Sequence, residues 1–579
     1  MKPAPRRWEV AGAPPLDGLP PVLGRVLAAR GLDAAAAAEL VGGTRTFHDP
    51  FGLAGMPEAV ITVGLAVAEG VPIAVYGDYD ADGVTACAML TVALRAAGAD
   101  VLPYIPNRMT EGYGLHAPAL EELAGRGVGC VVSVDCGTSS ADVAAGRPAG
   151  LRLVITDHHL PLSRGGGPPL LPDVDALVNP KRPDCGYAFD ALAGAGVAWK
   201  LLQGLEAEGV VPAGSADAGL ALAALGTVAD MMPLRGENRA IVAAGLEAMA
   251  EAPSPGLRAL LEVAGVRGAP RAADLAFGVA PRINAAGRME DAELALRLCL
   301  AGSLEEARPL AERLQAQNLD RQRAVAAALA GAEEQVAGLP DDTATIVLGD
   351  PAWPMGIVGL VAGRLAERYA RPTFVVSLGE EGKGSARSVR GVHLVEALGV
   401  ASGSLLRYGG HAAAAGFSLE PGRFEEFAAA ITAAVAAQLG EAERERVFHL
   451  DAVVGVDQLQ PGLCAELAAL EPCGQGNPEP LLALCGARVL GTSTFGAQRQ
   501  HLRVALTDAS GQVVEAIAFN KPGLCGHLPA GRLVDACFGL ELDRWDGVER
   551  IRLRLRDLRP ARQDPTLMTA AALTGALVA

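Results

Sequence analysis

Short β-branched apolar runs recur through the first half of the chain and end in acid: IAVYGDYDADG in Asp78, Asp80 and Asp82, VVSVDCG in Asp135, LRLVITDHH in Asp157. ALGTVAD, ending in Asp230, is read the same way. An apolar run of about four to eight residues between turn signals predicts a strand buried on both faces, as in parallel sheets. Helical patterns such as EAVITVGLAVAEG, TACAMLTVALRAAG and AGVAWKLLQGLEAE alternate with them, which predicts βαβ units. Ligands of an open α/β sheet bind outside the carboxyl ends of its strands. The acids, remote in sequence, are therefore expected in one cleft with His158 and His159.

The pattern continues beyond this domain. Residues 1–50 form an Ala-rich, Pro-punctuated lead-in, helical around 22–40, expected to pack on the α/β domain of 51–250. Residues 251–338 read as helical, ending in a long connecting helix over 303–339 that is rich in Ala, Leu, Glu, Gln and Arg, with Pro309 early and Gly331 and Gly338 late. TATIVLGD, GIVGLVAGRLAERY and PTFVVSL open a second α/β domain, 339–440. Over 447–562, the runs HLRVALTD, VVEAIAFN, RLVDACFGLEL and RIRLRLRDL, split by turn residues, predict an all-β barrel of the oligonucleotide-binding kind, followed by a tail, 563–579. SRGGGPPLLPD reads as a surface loop.

A chain of 579 residues is long enough for three or more domains with proper cores. Its apolar residues are Ala, Val and Leu dispersed among Gly and Pro, never a span of about twenty, so no membrane helix is expected. MKPAPRRWEVAGAPP lacks a secretory apolar stretch and AALTGALVA is too short to anchor, which points to the cytoplasm. The ten cysteines form no C-x-x-C pair, and Cys87, Cys130 and Cys537 sit in apolar runs, which argues against zinc and a disulfide framework. The net charge of −17 implies an acidic exterior but leaves room for an Arg-lined channel that grips phosphate.

Carboxylates gathered closely repel one another unless cations lie between them, and oxygen ligands with one or two imidazoles suit Mn²⁺ or Mg²⁺. A two-metal hydrolase of a phosphate ester is expected. DYDADG opens like a calcium loop, but the required Glu falls at Met89 and a strand precedes it. His158 and His159 are adjacent, so one is expected to ligate while the other faces substrate. GKGSARSVRG and RYGGHAAAAGF set Ser385, Arg387, Gly409, Gly410 and His411 on backbone that either approaches phosphate or makes tight turns. In APRINAAGRM, Arg282, Asn284 and Arg288 either contact substrate or brace an interface.

GDYDADGVTA, VDCG, TDHH, ALGTVADMMPLRGENR, APRINAAGRM, GSARS, RYGGHAAAAGF and LEPCGQGNPEP, ordered between about Asp49 and Asp557, resemble the RecJ family, single-strand-specific 5′ to 3′ exonucleases of the DHH phosphoesterase superfamily. The resemblance implies a parallel-sheet DHH domain, a connecting helix, an α/β DHH-associated domain and an oligonucleotide-binding barrel, without the further C-terminal domain of some relatives. It implies two Mn²⁺ or Mg²⁺ ions held by Asp78, Asp80, Asp82, Asp135, His158 and Asp230, with Asp135 as bridge. Asp157 would be a ligand or orienter in the catalytic group, and His159 and His411 would donate to the scissile phosphate. Arg282, Asn284, Arg288, Gly409 and Gly410 would hold the strand, and Arg108, Ser385 and Arg387 the terminal 5′-phosphate.

The implied product is the 5′-mononucleotide and the implied setting is DNA repair and recombination, with single-stranded DNA, a RecQ-type helicase and a single-strand-binding protein as partners of a monomer. Bases would stack at few positions, such as Tyr113, Phe417 or Phe495, because aromatics are only 4% of the chain. Two departures stand out: the acidic GEEGKG before SARS, and Cys473 where the family usually has Phe. A nano-RNase or 3′-phosphoadenosine-5′-phosphate phosphatase shares the metal motifs but is shorter and has no barrel. A catalytically dead DNA-binding scaffold is disfavoured because every expected carboxylate and both histidines are present.

Overall fold

The computed structural model describes residues 1–108, 111–162, 167–289, 292–439, 445–545 and 548–561. It divides into two compact units, one of Thr44–Arg321 with Glu471–Pro478, the other of Met1–Gly43, Gln322–Leu470 and Glu479–Ala579. The chain opens in the latter, with strand β1 (Arg6–Val10).

The unit that begins at Thr44 is built on a parallel sheet of β2 (Ile73–Tyr76), β3 (Val101–Tyr104), β4 (Cys130–Val134), β5 (Arg152–Thr156) and β6 (Ala176–Val178). Alternate side chains serve two cores, as the two-residue strand period requires. Ile73, Val75, Val132, Val134 and Val154 pack with Trp199 and Leu202 on one face, whereas Ala74, Tyr76, Val131, Leu153 and Ile155 pack with Leu120 and Leu123 on the other. The strand order is β3-β2-β4-β5-β6. The chain leaves β2 for one neighbour and returns on its other side, so a crevice opens at the carboxyl ends of β2 and β4.

ALGTVAD is not a strand. It ends the helix Ser215–Ala229, and Asp230 is the C-cap. The run is dominated by Ala, Leu and Gly, and at helical spacing Leu222, Leu225 and Val228 meet the core. Lys200 and Glu237, both fully buried, form an ion pair that also takes in the His48 backbone: Lys200 Nζ donates to the carbonyl and the His48 N–H donates to Glu237. This fixes the stretch that enters the sheet domain.

The other unit contains a mixed sheet of β7 (Ile346–Asp350), β8 (Thr373–Leu378), β9 (Gly382–Arg387), β10 (Leu405–Gly410) and β11 (Ala414–Leu419), ordered β10-β11-β9-β8-β7. β7 and β8 are parallel across the helix Val358–Tyr369, and the remaining pairs are antiparallel. GKGSAR and LLRYGG are therefore sheet strands rather than tight turns. The acidic GEE is the β8–β9 turn, where Glu381 lies 3.5 Å from Arg407. Phe417 is in the core against Phe374 and Phe427, so the expectation that it stacks on a base is corrected. The helix Leu304–Ala337, with Pro309 in its early turns, is the expected long connection, and the division between units falls within it.

After β12 (Arg446–Leu450) and β13 (Ala452–Val453), the strands β14 (Leu482–Phe495), β15 (His501–Thr507), β16 (Val513–Ala518), β17 (Leu533–Trp545) and β18 (Val548–Pro560) close a barrel. Its circuit is β14-β15-β16-β18-β17 and back to β14, with β16 and β18 parallel, the oligonucleotide-binding arrangement expected. Leu502, Val504 and Leu506 alternate inward along β15.

The lead-in corrects another expectation. Residues 1–43 pack in the barrel's unit rather than on the parallel-sheet domain, and only the stretch from Thr44 joins that domain. β1 pairs in parallel with β12, Trp8 Nε1 donates to Asp557 at 2.8 Å, and Arg6 meets the same carboxylate at 2.5 Å. A buried indole N–H and a buried guanidinium both need an acceptor, which Asp557 supplies. LEPCGQGNPEP is likewise divided: 471–478 pack in the parallel-sheet unit, where Leu234 N–H donates to Gln475 at 2.7 Å and Arg235 to Gly476 at 2.6 Å. Cys473 is buried there. Arg562 and 563–579 lie outside the described residues.

Candidate metal centre

The loop after β2 carries Asp78 and Asp80. Asp80 caps the helix Ala81–Ala96 by accepting from the Asp82 and Gly83 N–H groups at 2.9 and 3.2 Å. Asp82 sits in the first helical turn, and its two oxygens accept from Gly194 and Ala195 N–H at 2.7 and 2.9 Å, the start of the helix Gly194–Ala207. Asp135 follows β4 in the left-handed region, at φ 62°. A non-glycine residue there stores strain, which clusters at functional sites. Gly194 makes room for it, because a Cβ at that position would meet Asp135 Oδ1 at 2.4 Å.

These side chains converge. Within each of three overlapping sets, ligand atoms lie within 4.8 Å of one another: Asp78, Asp80 and Asp135; Asp82, His158 and Asp230; Asp135, His158 and His159. Asp135 and His158 each belong to two sets. Asp78 Oδ1, Asp135 Oδ1 and both His158 ring nitrogens are buried without a hydrogen bond. His158 Nε2 stands 3.2 Å from Asp135 and 3.5 Å from Asp230.

Negative charge dominates this cleft. Burial, then Asp80, raises Asp78 well above the usual carboxylate range; burial, then Asp230 and Asp80, does the same to Asp82. Asp135 is raised by burial and by Asp82, Asp80, Asp78 and Asp230. Asp230 is pushed up to about 7 by burial and Asp80, at a helix C-terminus whose dipole adds negative potential. Burial and His159 lower His158 to about 3, which keeps it neutral and able to give a lone pair. Unspent acceptors and mutually repelling carboxylates beside a neutral imidazole are a donor set that divalent cations satisfy.

Asp157 stands outside the three sets. It accepts from Thr138 N–H at 2.8 Å, His158 N–H at 2.7 Å, His159 N–H at 3.1 Å and His159 Nδ1 at 2.8 Å. Burial favours its neutral form, but the His159 hydrogen bond and the two imidazoles outweigh this and hold it below the usual range. An ionised carboxylate has no proton to give, so His159 Nδ1 carries the hydrogen and Nε2 is left toward the cleft. Burial lowers His159, and Asp157 more than restores it, so its value is raised. The Tyr113 hydroxyl also lies 2.9 Å from Nδ1, so this residue, expected to stack on a base, is a neighbour of His159.

Arg282 donates through its Nη atoms to the Gly278 carbonyl and, at 3.1 Å, to that of Val263, and in this arrangement the guanidinium braces the π-helical turn Leu275–Val279. Asn284 accepts from Ala81 N–H at 2.9 Å and thereby props the loop that carries Asp80. Arg108 lies 4.9 Å over the Tyr79 ring and lowers Asp78, and half-buried Arg288 acts on the Tyr79 hydroxyl. In the other unit, Arg387 donates to Ser385 Oγ at 3.2 Å on β9, while Gly409 and Gly410 end β10 and His411 starts the exposed turn to β11. Sequence reasoning missed Lys181, whose charge acts on Asp230, Asp157 and Asp135. The NPK tripeptide after β6 was its signal.

Comparison with known proteins agrees in domain order. The DHH family, N-terminal domain, matches residues 72–227, the DHHA1 domain 342–437 and the RecJ OB domain 450–557. The single-stranded-DNA-specific exonuclease RecJ of Bacillus subtilis is 35% identical over 93% of this chain and 68% of its own length. That of Escherichia coli is 33% identical over 96% of this chain and 99% of its own. The crystal structure of Thermus thermophilus RecJ in complex with Mn²⁺ superposes with a TM-score of 0.80 at 33% identity, covering 97% of this chain and 81% of that one. A second Thermus thermophilus RecJ structure contains Mg²⁺ and has a TM-score of 0.76. The chain belongs to the RecJ family of single-stranded-DNA-specific exonucleases.

Proposed function

We propose that this chain is a divalent-metal-dependent exonuclease that degrades single-stranded DNA from the 5′ end to 5′-mononucleotides, in DNA repair and recombination. The observation that carries the reading is the cluster of buried, unspent acceptor atoms on Asp78, Asp135 and His158 at the mouth of a parallel sheet. Asp78, Asp80 and Asp135 would hold one cation and Asp82, His158 and Asp230 the second, with Asp135 between them. Bound there, two cations supply an acidified water at neutral pH and neutralise charge on the reacting phosphate and the departing 3′ oxygen.

The protein's own groups orient the strand. His159, whose imidazolium form Asp157 favours, donates from Nε2 to a scissile phosphate oxygen, and His411 is assigned as a donor to the strand. Lys181 and Arg108 add positive charge, and Arg288 contacts the strand. Asn284 positions the Asp80 loop. Ser385 and Arg387 are assigned to the terminal 5′-phosphate, and Gly409 and Gly410 let backbone approach the strand. On the barrel, half-exposed Phe495 lies 5.2 Å from His501 with Arg503 over its ring, a surface suited to stacked bases beside phosphates.

No helix among the described residues is long and apolar enough to cross a membrane. We place the protein in the cytoplasm as a monomer, on single strands produced by a RecQ-type helicase and covered by a single-strand-binding protein. The test uses 3′-labelled, 5′-phosphorylated single-stranded DNA in Mn²⁺, beside a blunt duplex and a dinucleotide. Unlabelled mononucleotides from the single strand, with the duplex spared, are expected. Cleavage of the dinucleotide alone would overturn the reading.

A further inference from the structure

The unit that holds the barrel contains a cavity of about 240 Å³ walled by charge. Arg6 comes from β1, Arg364, Glu367 and Arg368 from the helix Val358–Tyr369, Arg446 from β12, and Lys521 from the loop before the short helix Pro522–His527. None belongs to the metal centre.

Five cations face this volume. Asp557 holds Arg6 at 2.5 Å, Glu367 holds Arg446 at 2.5 Å, and Glu333 pairs with Arg368. Arg364 is exposed and makes no hydrogen bond or ion pair among the described residues. Nε of Arg368 is buried without an acceptor. Burial, together with Arg6 and Arg368, pulls the Lys521 ammonium below its ordinary value. Like charges confined in this way are costly unless an anion joins them, and guanidinium groups suit phosphate oxygens in paired hydrogen bonds.

The lining also selects among anions. No aromatic side chain is part of it, so a base has nothing to stack on. The cations converge on one small volume instead of following a line, which favours several charges on one compact molecule over a strand's spaced phosphates. We propose that this cavity binds a compact polyphosphate, inorganic pyrophosphate or the phosphate chain of a nucleoside triphosphate, and that the anion ties β1, the helix Val358–Tyr369 and the barrel together.

The test is calorimetric titration of the full chain, in excess Mg²⁺, with pyrophosphate and separately with a non-hydrolysable nucleoside triphosphate. One-to-one binding is expected, weakened at least tenfold by Arg364→Ala and by Lys521→Ala, but not by Arg387→Ala, which alters the proposed 5′-phosphate contact. Arg364 is exposed, so its variant should fold, and an unchanged nuclease rate would confirm that. Equal affinity for both ligands assigns the site to the phosphate chain alone; a tighter triphosphate assigns it to nucleotides. No binding by the parent, equal affinity in both cavity variants, or loss in Arg387→Ala instead would overturn the proposal. So would an effect of Arg364→Ala only on a non-cleavable oligothymidylate in Ca²⁺, since the cations would then serve the DNA strand.

Discussion

Asp157 accepts four hydrogen bonds and makes none of the close ligand groupings, so its work is to fix His159. Replacing it by Asn keeps the shape but removes the charge that favours the His159 imidazolium. We expect Asp157→Asn to lower nucleotide release about 10- to 100-fold, the usual scale for a residue that orients a metal-site group, while DNA binding in Ca²⁺ is retained; release rates within twofold of the parent would remove this role. Arg387→Ala is expected to erase any preference for 5′-phosphorylated over 5′-hydroxyl DNA, measured as the ratio of initial rates. At this scale the acids after β2, β4 and β5 were legible because a short apolar run stops abruptly at Asp. Asp230 was found at the right position but on the wrong kind of element. The partners of Arg282 could not be read, since backbone carbonyls leave no mark in the sequence.

Among the elements, the strands and long helix announced themselves by periodicity, whereas pairings across the chain did not. Trp8 and Asp557 are separated by 549 positions, so no local pattern tells that β1 completes the barrel's unit. LEPCGQGNPEP has the glycine and proline of a loop but no sign of which unit its carbonyls serve. The Asp557 carboxylate holds both Arg6 and Trp8 in buried surroundings. Asp557→Ala therefore leaves a buried guanidinium unpaired and is expected to destabilise the barrel's unit by about 3–5 kcal/mol, seen as an earlier thermal transition. A transition unchanged from the parent would show that β1 adds little to that unit.

For the molecule as a whole, cation binding and stability are linked through the repulsion among Asp78, Asp82, Asp135 and Asp230. A ligand present at about 100 times its Kd adds about 2.7 kcal/mol to the native state. Thermal scans should show the parallel-sheet unit melting later in Mn²⁺ than in EDTA, with the gain much reduced in Asp135→Ala. An identical gain in that variant would place the cations elsewhere. The order of three domains was legible because each carries its own period, apolar runs alternating with helices twice and then short alternating strands.

Phosphodiester hydrolysis on single-stranded DNA is assigned to the carboxylate cluster. The most direct measurement compares nucleotide release in Mn²⁺ with DNA binding in Ca²⁺ for the parent and for Asp80→Ala. 5′-Mononucleotides are expected from the parent, none detectable from the variant, and equal binding by both. Release by Asp80→Ala at the parental rate, or an inactive parent that still binds DNA, would contradict this assignment.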